Sequence, residues 1–108
     1  MSCEEEQCSS LPVFSDADID RVGAALASEA TPLAERFRAV FTLRNIDSRR
    51  AIDALLGGMQ SPSALLKHEI AYVLGQKGDS YALPFLSAVL ADTAEDSMVR
   101  HEAGEALG

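Results

Sequence analysis

The chain has no tryptophan and only two tyrosines and four phenylalanines among its 108 residues. A core without large rings must come from aliphatic side chains, and 47% apolar residues rich in Ala and Leu fit a helical protein. No apolar run approaches the ~20 residues that span a bilayer, so a membrane helix is not expected. The start, Met1-Ser2-Cys3-Glu4-Glu5-Glu6, lacks the charged-then-apolar layout of a signal peptide. Cysteine is limited to Cys3 and Cys8, too few for a disulfide framework or a cysteine metal cluster, and a reducing, cytoplasmic compartment is expected. Basic residues are also scarce: nine Lys and Arg stand against seventeen Asp and Glu, for a net charge of −8. Without a basic stripe to neutralise phosphates, a nucleic-acid partner is excluded. A basic protein partner or an amine substrate fits the sign of the charge.

The sequence does contain a repeat. Leu65-Leu66-Lys67-His68-Glu69-Ile70-Ala71-Tyr72-Val73-Leu74-Gly75 returns as Met98-Val99-Arg100-His101-Glu102-Ala103-Gly104-Glu105-Ala106-Leu107-Gly108, with the two histidines 33 residues apart. A degenerate earlier copy, Arg36-Phe37-Arg38-Ala39-Val40-Phe41-Thr42-Leu43, places Phe37 and Arg38 where the others carry His and Glu. A period of this length marks a solenoid, in which each unit buries its apolar face only against its neighbours. The predicted fold class is all-α, a helical-repeat solenoid of about three helix pairs, the last incomplete.

Residues 1–14 read as a disordered acidic tail and 15–108 as the repeat domain. Helices are expected near 16–30, 32–45, 48–59, 62–75, 80–91 and 97–108. Ser15, Thr31, Asp47, Ser61 and Asp79 are the expected starts, with Pro32 and Pro62 at first helical positions. Asn45, Gly57-Gly58 and Gly75 are the expected stops. The last helix has no following unit, so Val99, Ala103 and Leu107 are expected to be exposed, and self-association through that end follows.

On a wheel turning about 100° per residue from Leu66, Ile70, Val73 and Leu74 form one apolar face. Glu69 lies on its flank and His68 nearly opposite, and His101 and Glu102 leave their own helix in the matching directions. Neighbouring helices of a stack lie ~10 Å apart, so matching side chains form a row in which imidazoles and carboxylates can converge. A solvated surface pair is the ordinary explanation of one His-Glu dipeptide. Two in register, using both histidines of the chain, favour metal ligands. Two histidines and a carboxylate suit non-haem Fe(II), and zinc would accept the same set. Tyr72 falls between His68 and Glu69, and packing explains it better than catalysis. Glu105 reads as a solvated helix residue.

The motifs Leu65 to Gln76 and Met98 to Gly108, with Arg36 to Arg44, closely resemble the deoxyhypusine hydroxylase family over about residues 33–108. That resemblance implies HEAT repeats and a di-iron monooxygenase that hydroxylates the deoxyhypusine side chain of a eukaryotic translation initiation factor, forming hypusine. It implies four His-Glu pairs in two similar halves, of which this chain would supply the amino-terminal two. His68, His101 and Glu102 would bind one Fe(2+) of the enzyme's two, and Glu69 would face the substrate's amine. The protein substrate is the implied partner, and activity of this chain alone is not expected. The competing readings are a non-catalytic HEAT-repeat interaction module and, ranked low, a relative of repeat-type bilin lyases.

Overall fold

Apolar residues three and four apart along each segment are what draw this chain into helices. A computed structural model describes residues 14–108, so the acidic tail and Cys3 and Cys8 lie outside the described residues. Among the described residues six α-helices follow one another: α1 (Asp16–Ala27), α2 (Leu33–Arg44), α3 (Arg49–Gly57), α4 (Ala64–Lys77), α5 (Leu83–Ala91) and α6 (Ser97–Leu107). Short 3-10 turns at Gly58–Gln60 and Ser80–Ala82 extend α3 and precede α5. Among the described residues there is no strand. The helices lie in two layers. α4 packs between α2 and α6, α1 packs on α3, and α5 packs on α6. The layers meet along Leu26, Val40, Leu43, Ile52, Leu55, Leu66, Ile70, Leu74, Leu86 and Val99, all fully buried.

The expected order of helices holds, and their boundaries move by a few residues for local reasons. Ser15 caps α1 as expected, accepting from the Asp18 N–H at 3.1 Å, while Asp18 Oδ2 accepts from the Ser15 N–H at 3.0 Å. This reciprocal capping box satisfies two N–H groups that the helix cannot. α1 ends at Ala27 rather than residue 30, because Ser28 turns extended and its hydroxyl accepts from the Ala30 N–H. Pro32, not Thr31, is the N-cap of α2, and Asn45 closes that helix as expected. The cap of α3 is Ser48 rather than Asp47, and that of α4 is Ser63 rather than Ser61. Each of these hydroxyls accepts an N–H three residues ahead. α4 runs past Gly75 to Lys77 and stops at Gly78, whose φ of 65° is the left-handed conformation that favours glycine. Asp79 caps the 3-10 turn, and α5 proper begins at Leu83 with Pro84 in its first turn.

One expectation is overturned. Val99 and Ala103 are fully buried and Leu107 is half-buried. The apolar face of α6 is turned back onto α4 and α5, so it needs no following unit to cover it. The exposure from which self-association was expected is absent. Among the described residues the most exposed large apolar side chains are instead Leu65 and Met98, at 67% and 61%.

Candidate functional site

The repeat places α4 and α6 side by side, and Gly75 lets them approach closely. A Cβ at Gly75 would stand 2.8 Å from Ala106 Cβ and 3.0 Å from Ala106 Cα, closer than packed carbons allow. Further toward the start of both helices, His68 Nε2 lies 3.0 Å from Glu102 Oε1. The imidazole and the carboxylate meet across the helix–helix seam. Glu102 is buried, at 8% exposure, whereas the wheel left its counterpart on a flank. His68 is half-buried rather than facing away from the protein.

His101 is placed differently. Its Nε2 lies 3.3 Å from Glu105 Oε2 on the same helix, and both side chains are more than 60% exposed. Glu105, expected to be a solvated residue, is one, and it lies beside the exposed His101. Glu69 is half-buried beside His68, and Tyr72 is exposed. The two dipeptides share a repeat position but not an environment. Glu102 meets His68 of the preceding repeat, whereas the degenerate repeat on α2 carries Phe37 in place of a histidine.

Two hollows flank the His68–Glu102 contact. One of about 320 Å3 lies along the α4–α6 seam and is lined by Tyr72, Gln76, Glu102 and Glu105. The other, about 260 Å3 and mostly apolar, is lined by Ala64, Leu65, His68, Asp96 and Met98. A larger hollow of about 520 Å3, around Asp20, Arg50 and Asp53, lies between α1 and α3 in the other layer, away from both histidines.

The donors at the seam are one imidazole nitrogen and one carboxylate oxygen, and both suit a divalent transition ion. Among the described residues no three His, Cys, Asp or Glu side chains are gathered closely enough to hold an ion. Of the expected set, His68 and Glu102 are brought together and His101 is not. His101 would complete it only by leaving Glu105, and its exposure leaves it room to turn.

Sequence reasoning gave no role to the basic residue before each dipeptide. Lys67 Nζ forms an ion pair with Glu95 Oε1 at 2.7 Å, with both side chains about 85% buried (15% and 14% exposed). The signal was present, because Arg36, Lys67 and Arg100 stand at one repeat position.

A model of HEAT repeats matches residues 19–108. Deoxyhypusine hydroxylase of Chaetomium globosum is 54% identical over 93 residues, covering 78% of this chain and 27% of that protein. The Gallus gallus deoxyhypusine hydroxylase is 50% identical over 96 residues, covering 89% of this chain and 32% of that protein. The structure of human deoxyhypusine hydroxylase in complex with glycerol superposes with a TM-score of 0.83 at 49% identity, over 85% of this chain and 32% of that one. The chain spans about a third of the length of these relatives.

Proposed function

The chain belongs to the HEAT-repeat family, and on that premise we propose that it is the part of a deoxyhypusine monooxygenase carrying two of the enzyme's His-Glu motifs. The reaction proposed is the iron-dependent hydroxylation, by O2, of a deoxyhypusine side chain on a eukaryotic translation initiation factor in the cytoplasm. The observation that carries this reading is the contact between His68 and Glu102, 3.0 Å apart on successive repeats. A scaffold has no need to bury a carboxylate against an imidazole at the one seam where both repeats carry the motif, since a buried charge is costly unless paired.

His68, Glu102 and, after release from Glu105, His101 are the residues that would hold Fe(2+). The chemistry iron supplies when bound is activation of O2 for insertion into a C–H bond. The chain's own residues do the rest. Glu102 supplies the negative charge of this part of the site from a buried position, where water screens it little. Glu69, next to His68, would receive the cationic amine of the substrate by a charge-assisted hydrogen bond. The seam hollow by Tyr72 and Glu102 offers room beside the ligands.

Fe(II) titration of the protein, with His68→Ala and Glu102→Ala alongside, tests this reading. Uptake by the wild type and its loss in both variants are expected. A protein that takes up no iron favours the second reading, a non-catalytic HEAT-repeat interaction module. The pairing of exposed His101 with Glu105 of its own helix, rather than with His68 and Glu102, is the observation on that side.

A further inference from the structure

Arg36, Lys67 and Arg100 occupy one position of the repeat, and two of the three behave alike. Arg36 Nε donates to the Leu26 carbonyl at 2.9 Å, and Arg100 Nε donates to the Leu90 carbonyl at 3.0 Å. Each acceptor lies ten residues back, one residue before the end of the preceding helix of the other layer. An arginine here closes the C-terminal end of that helix, where carbonyls lack intrahelical partners. Lys67 breaks the pattern. It reaches forward into the next repeat, to Glu95.

Glu95 Oε1 accepts from Lys67 Nζ at 2.7 Å and also from the Asp96 N–H at 2.7 Å. Asp96 is the N-cap of α6, its carboxylate accepting from the Met98 N–H at 2.8 Å. The lysine next to His68 therefore fixes the first turn of the helix that carries Glu102. Six residues beyond Asp96, at a rise of ~1.5 Å per residue, Glu102 meets His68 about 9 Å along a rigid helix. α6 is thus tied to α4 at its cap by Lys67, at Glu102 by His68, and at Ala106 by the close approach to Gly75. Because the pair is largely buried, screening weakens it less than it weakens a surface bridge.

We propose that Lys67 and Glu95 are a positioning pair, which sets the register of α6 against α4 and so holds the Glu102 carboxylate on His68. The role extends the iron-site reading and rests on it for its biological purpose, while its physical content is the His68–Glu102 contact itself. A pair that merely stabilised the fold would lower the melting temperature and leave that contact alone.

The test uses histidine-labelled protein and long-range proton–nitrogen NMR, which reports the tautomer of His68 and the exchange rate of its Nε2 proton. The wild type is expected to show the Nε2–H form, slow to exchange. In Lys67→Met and in Glu95→Gln that exchange should accelerate about tenfold, the equivalent of ~1.4 kcal/mol. Arg100→Met, which removes the basic side chain one repeat on, should lower the melting temperature without moving the signal. Glu95→Gln keeps the acceptor for the Asp96 N–H, so it reports on the ion pair even if Lys67→Met fails to fold. Unchanged exchange in Glu95→Gln, equal acceleration in Arg100→Met, or no Nε2–H form in the wild type would each overturn the proposal. Co(II) titration of the same samples addresses the metal separately. A wild type that binds no Co(II) but shows the NMR response loses the iron reading and keeps the positioning role.

Discussion

His68 and His101 stand at one repeat position, yet the molecule treats them as different residues. His68 is half-buried against a buried carboxylate, and His101 is on the surface with Glu105. His101→Ala is therefore expected to leave stability nearly unchanged. His68→Ala should cost about 1–3 kcal/mol, because the buried Glu102 carboxylate loses its only close polar partner across the seam, while helicity by circular dichroism is retained. Thermal unfolding of the two variants side by side checks this, and equal losses would contradict the placement. The glutamates differ in the same way. Glu102→Ala should reduce iron uptake, whereas Glu69→Ala should leave iron bound and weaken substrate binding by roughly ten- to a hundredfold, the worth of one charge-assisted hydrogen bond. Iron content and substrate affinity measured together in the protein would separate them. Equal iron loss in both variants would refute the division of labour and leave the metal site standing.

At the scale of the helix, the contacts that set register are small and local. Gly75→Ala adds a methyl where Ala106 leaves no room, so α4 and α6 must part. Overpacking of this kind costs about 1–3 kcal/mol, and the variant should also weaken the His68–Glu102 contact, readable as faster exchange of the His68 ring proton. The start of α1 responds to acid. Asp18 is held below the usual carboxylate range by the hydrogen bonds it accepts from Ser15 and by the Arg21 guanidinium beside it, and Asp20 is lowered by its two bonds from Arg50. Folded values below the unfolded ones mean that both groups contribute stability above about pH 4. That contribution is lost as pH falls through the folded values. Melting temperatures from pH 5 to pH 2 should fall, and Asp20→Asn should flatten the lower part of the curve. Ser15→Ala should cost ~1 kcal/mol at neutral pH. The caps also show where sequence reading slips. Ser48 and Asp47, or Ser63 and Ser61, are chemically equal candidates one or two residues apart, and only the path of the preceding turn chooses between them. At α1 the reading held because Ser15 stands three residues before Asp18, the spacing of a capping box.

At the scale of the whole molecule, the solenoid was legible because periodicity and repeat register are both written in the chain. The site was half legible. The wheel placed the His and Glu directions on one helix, but it could not say which repeat each side chain faces. That depends on the stacking of α4 on α6, which the Gly75–Ala106 approach and the Lys67–Glu95 pair fix. The exposure expected for Val99 and Ala103 failed for the same reason, since a helical wheel names an apolar face without saying which neighbour it meets. The same stacking bounds what this chain can do with metal. It holds two His-Glu motifs where the family resemblance implies four, it spans about a third of its relatives, and the third expected donor, His101, lies on the surface beside Glu105. The chain is therefore expected to take up no more than one divalent ion per molecule, and to do so weakly. Release of His101 should strengthen that uptake. Glu105→Ala removes the partner that keeps the imidazole on the surface, so Co(II) affinity should rise in that variant and fall again when His101→Ala is added. Isothermal titration of the wild type, the single variant and the double variant measures this. If Glu105→Ala leaves the affinity unchanged or lowers it, His101 is not the third ligand, and the site at the α4–α6 seam has only His68 and Glu102 to offer.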